Sequence, residues 1–232
     1  MNSINSVNSN YNIYVSDGVS HEFAQSIIDG VKNLEQYSPI ANKAVTSLDN
    51  IIILKDKNSI LPNDFSYTDK KFHSVAEDAY GFVSKKDNAI VIIQDNHLRK
   101  NGSLEGDILS QGADTLTHEI GHIVDNELSV TEEYKKAYYT DLKNIEKAMN
   151  NPNAEINGKK LSDMTEYLRH YTEGADFSDG IDEKDVTREG VRENFAECFS
   201  NIVDTDKSEI NEIYLSLFPN CARMVKSFCG II

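Results

Sequence analysis

Proline and glycine are scarce in this chain, with 4 Pro and 12 Gly among 232 residues. That is well below the usual share in loop-rich or all-β proteins, so helix is expected to dominate. The three cysteines, Cys198, Cys221 and Cys229, are odd in number and without paired spacing. A disulfide framework is therefore not expected, and Cys198, in an amphipathic stretch, reads as a small buried hydrophobe. Long apolar runs are absent too: stretches such as Ala89–Ile93 are far too short to span a bilayer. The opening, with Asn2, Ser3, Asn5, Ser6, Asn8, Ser9 and Asn10, has neither a basic nor an apolar region of the kind a signal peptide needs. The expected location is cytoplasmic, or outside the cell by a route without a classical signal peptide. Positive charge is also in short supply, with 23 Lys+Arg against 38 Asp+Glu, a net charge of −15. Phosphate backbones and anionic membranes would repel such a surface, so neither nucleic acid nor membrane is expected as a partner.

What remains is an ordinary globular composition, 39% hydrophobic and 26% charged, on a chain long enough for a substantial core. Residues 1–10 read as a flexible polar leader and 11–232 as a single domain. Tyr11–Ser16 and the β-branched Ile51–Leu54 read as strands. Between them Ser20 caps a helix with Phe23, Ile27, Ile28, Val31 and Leu34 on one face. Tyr80–Ser84 and Ala89–Gln94 flank the polar turn Lys85–Asn88 and form a hairpin, followed by a loop near Asn101–Gly106. Beyond Gly112 the pattern is nearly all helical, with helices near 112–127, 130–149, 161–170, 190–203, 207–217 and 220–229. Ser208 and Pro219 mark the last two starts. Gly174–Gly190, rich in Gly and Asp, reads as a mobile acidic loop. Its acidic spacing does not match a calcium-binding loop.

One motif stands out: His118-Glu119-Ile120-Gly121-His122. On a helix, histidines four residues apart project from one face, about a turn from each other. Two neutral imidazoles so placed can share one tetrahedral Zn²⁺, and Glu119 is placed to take a proton from a zinc-bound water. Leu116, Ile120, Ile123 and Val124 supply the core face, leaving the His/Glu side toward a cleft. Gly121, costly in mid-helix by roughly 1 kcal/mol against Ala, suits a close approach by backbone or substrate. Histidine pairs also occur on ordinary helix surfaces, so a third ligand has to decide the matter. Glu193 and Glu197, one turn apart in Arg192-Glu193-Asn194-Phe195-Ala196-Glu197, offer one carboxylate for the metal and one to orient a ligating imidazole. Neither has a basic partner four residues away, and their mutual repulsion favours a cation between them. The remaining histidines carry less weight. His21 opens a helix, His73 and His97 lie in loop-like sequence, and His170 adjoins Tyr171.

His118–Asp125, H-E-I-G-H-I-V-D, resembles the active-site helix of the family that holds the anthrax toxin lethal factor catalytic domain and the Pro-Pro endopeptidases. Those proteins also carry an Asp three residues after the second His, as Asp125 is here. Their third-ligand helix reads E-F-F-A-E, matched by Glu193–Glu197 (E-N-F-A-E) at four of five positions. The likeness is specific over about thirteen residues and topological elsewhere. It implies an α+β, zincin-like metallopeptidase domain, mostly helical with a small mixed sheet and an active-site helix carrying the histidine motif. By the same resemblance Zn²⁺ is the one catalytic cofactor. His118, His122 and Glu193 become its ligands, Glu119 the catalytic base, and Glu197 and Asp125 supporting residues behind the ligands. The family places an oxyanion-stabilising Tyr seven residues before the ligand Glu, where this chain has Val186. With the acidic loop as an insertion, Tyr171, or in second place Tyr167, takes that role; both tyrosines packing a helix is the competing reading.

The expected activity is endopeptidase hydrolysis of a peptide or protein substrate, and the resemblance permits a toxin-like effector. Three alternatives stay open: a cytosolic, regulator-cleaving zinc peptidase of another family, a zinc-bound binding module without catalysis, and a structural protein without a metal. The 80–94 hairpin is expected either to supply an edge strand that pairs with extended substrate or only to cover the core. Eleven acidic and four basic residues give a net −7 to Asp163–Glu197, the segment that runs from the candidate tyrosines to the ligand Glu. This acidity favours substrates with basic flanking residues in a salt-sensitive way.

Overall fold

A computed structural model describes residues 2–4, 11–62, 65–66, 79–101, 107–128, 132–151, 153–156, 159–160, 181–203 and 209–230. The architecture is α+β, mostly helical with a small mixed sheet, in two compact units, Met1–Ile123 and Val124–Ile232.

The first unit is built on five strands: β1 (Asn2–Ile4), β2 (Asn12–Val15), β3 (Asn50–Leu54), β4 (Gly81–Ser84) and β5 (Ala89–Ile93), in spatial order β1-β2-β3-β5-β4. The central strands β2, β3 and β5 run parallel, while β1 and β4 flank them antiparallel. The sequences of β3 and β5 explain their position. Ile51–Leu54 and Ala89–Ile93 are unbroken apolar runs with every residue fully buried, as parallel strands covered on both faces require. Parallel β2 and β3 need a crossover, supplied by α1 (His21–Tyr37) and α2 (Pro39–Thr46). Ser20 Oγ accepts from Phe23 N at 3.2 Å and Ser38 Oγ from Ala41 N at 3.2 Å, so each helix has a side-chain N-cap.

Three elements depart from the sequence reading. Residues 2–4 of the supposed flexible leader pair with β2, Ile4 opposite Ile13. Helix α2 was not expected, being too short for a periodic signal; Ser38-Pro39, a cap followed by proline in the first turn, was the available cue. The third is α3 (Gln94–Asn101), which replaces the loop expected around His97. Its sequence, QDNHLRKN, has almost no apolar periodicity. It is held instead by bonds from elsewhere: Gln94 Oε1 accepts from Ser20 N at 2.7 Å, and Asp95 N donates to Lys55 O at 2.9 Å.

Helix α4 (Asp107–Leu128) carries the histidine motif; its residues up to Ile123 belong to this first unit. Its approach to α1 depends on Gly112, where a Cβ would fall 2.8 Å from Phe23 Cε2. Phe23 is buried, and its removal from water stabilises the unit by roughly 2–3 kcal/mol.

The second unit is helical: α5 (Glu132–Met149), α6 (Arg188–Val203), α7 (Glu209–Leu217) and α8 (Pro219–Phe228), with a two-stranded β6 (Glu155–Ile156) and β7 (Lys159–Lys160). Thr187 Oγ1 accepts from Gly190 N at 3.0 Å, so α6 starts at Arg188, inside the stretch the sequence assigned to a mobile loop. The core gathers Tyr134, Tyr138, Phe195, Phe199, Tyr214 and Phe218, all buried. A polar thread runs through it. Tyr134 Oη donates to Asn194 Oδ1 at 2.8 Å, and Asn194 Nδ2 donates to Tyr214 Oη at 2.8 Å, leaving each buried polar group a partner. Cys198, Cys221 and Cys229 are all free and buried. Burial pushes the Cys229 thiol up to about 12, which keeps it an unreactive thiol at neutral pH. Among the described residues no helix is long and apolar enough to cross a membrane.

Candidate metal centre

The histidine motif lies wholly on α4, and the helix period does what the spacing implies. The rings of His118 and His122 meet with centroids 4.8 Å apart and planes at 89°. Of the expected core face, Leu116, Ile120 and Val124 are fully buried, while Ile123 is only half-buried. The opposite side is less open than expected: Glu119 and His122 are buried and only His118 is half exposed. Gly121 is buried as well. Glu193 lies on α6, half-buried, and ligand atoms of His118, His122 and Glu193 all fall within 4.8 Å of one another. Two imidazoles and a carboxylate within that distance could hold a metal ion, and the donor set suits a borderline cation such as zinc better than an all-oxygen one.

The supporting residues divide. Asp125, buried on the last turns of α4, forms an ion pair with Arg192, whose Nε stands 3.1 Å from Asp125 Oδ2. This pair, within the second unit, joins the residue before Glu193 to the residue one turn beyond His122. Sequence reasoning misses Arg192, for which the available signal is an Arg next to one candidate ligand and an Asp three residues past another. Glu197 is half-buried and accepts from Asn201 Nδ2 at 3.5 Å. Val186, at the position where the resembling family has its Tyr, is buried. Tyr167, Tyr171, His170 and His73 lie outside the described residues, as do the expected helix 161–170 and Ser208.

Within the first unit, β4 ends the order of the sheet and lies against α4. A Cβ at Gly81 would fall 2.7 Å from Thr115 Cγ2, 2.9 Å from Val91 O and 3.6 Å from Glu119 Cγ. Only glycine lets the strand come this close to Thr115 of α4, a need that a hairpin sequence does not reveal. Among the described residues the register also assigns which groups of β4 face the edge, which the sequence left open. Ile93 N donates to Tyr80 O at 2.9 Å, so hydrogen-bonded pairs continue at Phe82/Val91 and Ser84/Ala89. The N–H and C=O groups of Gly81 and Val83 therefore point away from β5.

His97, expected in a loop, is instead 1% exposed on α3, with its ring stacked on Tyr80 at 4.8 Å. Burial, partly opposed by a hydrogen bond to the Tyr80 carbonyl, lowers its pKa from 6.5 to about 4. Because the folded value lies below the unfolded one, the neutral ring's contribution is complete above pH 6.5 and drains away as pH falls toward about 4. The expected loss is about 3 kcal/mol. Denaturant unfolding of wild type and His97→Asn at pH 7 and pH 4 measures it: the wild type should lose its advantage over the non-titrating variant at the lower pH.

Comparison with protein-family models, curated proteins and solved structures finds no match to this chain.

Proposed function

From two imidazoles and a carboxylate around one point, with a buried glutamate between the histidines, we propose that this chain is a zinc-dependent endopeptidase with a zincin-like domain. The observation that carries the reading is the convergence of His118, His122 and Glu193 within 4.8 Å. The specific likeness of His118–Asp125 and Glu193–Glu197 to the lethal factor and Pro-Pro endopeptidase family supports it. These three side chains hold the metal, and Arg192, paired with Asp125, fixes the backbone next to Glu193. A zinc ion held there would supply a water with a pKa near 7 and a Lewis acid for the scissile carbonyl. Glu119 takes the proton of the attacking water and passes it to the leaving amine. An extended peptide adds to the sheet at the N–H and C=O groups of Gly81 and Val83, bringing its backbone alongside Glu119. Tyr171 is assigned the oxyanion donor, and the acidic segment Asp163–Glu197 a preference for basic flanking residues.

The test is metal content. Purified wild type should carry about one zinc per chain, and His122→Ala should lose most of it, since three protein ligands is the norm for a catalytic site. Loss of bound metal should also remove about 3 kcal/mol of stability at a hundredfold excess over the dissociation constant. A chain that binds no zinc under any loading condition sinks the proposal. A second reading, a zinc-bound module without catalysis, is favoured by one observation, the buried Val186 in place of the family's Tyr. Tight zinc without cleavage of any member of a peptide library would select it.

A further inference from the structure

We propose that Asn96 and His97, on the first turns of α3, are positioning residues that set where edge strand β4 lies against Glu119, and hence the register of a bound peptide. The inference rests on the peptidase reading above and names how that site is held. Gly81 is packed so tightly against Thr115 that a single added carbon would overlap it. The strand therefore has little freedom toward α4, and the two peptide units before it decide its position along and away from the helix.

Both of those units are gripped by α3. Asn96 Nδ2 donates to Ala79 O at 2.6 Å. The His97 ring donates to Tyr80 O, which also accepts from Ile93 N at 2.9 Å. Nε2 is the ring nitrogen with no hydrogen-bond partner, so Nδ1 is the donor. The same ring stacks on Tyr80 at 26° between planes and stands 5.4 Å from Phe23, which fixes its own orientation.

Filling this space does not call for polar groups. Asn96 and His97 are 6% and 1% exposed, and burying an amide and an imidazole is unfavourable unless each is bonded. Two such side chains on two consecutive carbonyls make a clamp on the backbone rather than a packing solution. The clamp has a consequence for substrate. With the Ala79 carbonyl occupied by Asn96, the edge of the sheet opens at Gly81 among the described residues. A peptide then pairs with Gly81 and Val83 in one register, with Gly81 next to Glu119.

The experiment compares His97→Phe, which keeps the ring stack and loses the donor, with His97→Asn, which restores a donor, in the full chain. Amide hydrogen exchange is read at Ile93 and Phe82, and hydrolysis with a peptide that wild type cleaves. His97→Phe should speed exchange at both amides about tenfold and raise KM about tenfold, with kcat within about twofold and zinc content unchanged. His97→Asn should return both quantities to within about threefold of wild type. Unchanged exchange and KM in His97→Phe overturn the clamp, as does a loss of activity that follows global unfolding and is not rescued by Asn. A wild type that cleaves no peptide overturns the peptidase reading instead, and with it the substrate register, while the exchange result still decides whether α3 fixes the strand.

Discussion

Glu119→Gln is expected to lower turnover by about 10²- to 10⁴-fold, the range that a general acid–base group contributes. The substitution is nearly isosteric and removes only the ability to take a proton. The side chain is buried beside edge strand β4, a Cβ at Gly81 falling 3.6 Å from its Cγ, so a change of shape here would confuse the result. Gln keeps that shape. It also replaces a buried carboxylate with a neutral amide, so the fold should not weaken. His118, His122 and Glu193 are untouched, and zinc content should stay at the wild-type level. Turnover, KM and bound zinc measured on the same preparation check the prediction. Zinc retained with turnover unchanged would remove Glu119 from the mechanism. Zinc lost along with activity would mean that the residue holds the site together rather than moving a proton.

The largest effect on stability is expected at Asp141, a residue without any catalytic assignment. It is fully buried on α5 and takes the place of a side-chain N-cap for α8, whose own first flanking residue, Phe218, provides none. Asn220 N and Cys221 N donate to Oδ2, each at 3.0 Å, and Asn220 Nδ2 donates to Oδ1 at 2.6 Å. Asp141→Ala leaves these donors without an acceptor inside the protein. The expected cost is about 3–4 kcal/mol, a lost cap plus unsatisfied buried groups. Asp141→Asn should cost about 1 kcal/mol, because it keeps one acceptor oxygen and needs no buried charge. The pH dependence separates the two roles of the carboxyl. Burial raises its pKa above 3.8, against the hydrogen bonds from Cys221 and Asn220, which lower it. A raised carboxyl pKa means that ionisation costs the folded state. The contribution is complete below pH 3.8 and is lost as pH rises through the folded value. The gap between wild type and Asp141→Asn should therefore narrow as pH is raised over that window in urea titrations. A constant gap would show that the carboxyl is equally at ease charged and neutral.

Much of the site was legible because it is local. His118, Glu119 and His122 sit on one helix, and a helix repeats every 3.6 residues wherever it occurs, so their shared face follows from spacing alone. The same holds for the apolar face of α1 and for the hairpin, whose apolar strands flank a polar turn. Helix α3 shows the limit. Nothing in QDNHLRKN marks a helix with a buried histidine, because the groups that satisfy Gln94, Asp95, Asn96 and His97 belong to Ser20, Lys55, Ala79 and Tyr80.

The scarcity of Pro and Gly, the unpaired cysteines and the histidine motif determined a helical chain without a disulfide framework, with one helix suited to a metal. Which strand forms the free edge, why Gly81 must be glycine, and which residue caps α8 were decided only by tertiary structure. Asp141 meets Asn220 across 79 positions, and Gly81 meets Thr115 and Glu119 across two elements. Such contacts depend on how elements pack, and packing is set by the whole set of buried surfaces rather than by any window of sequence.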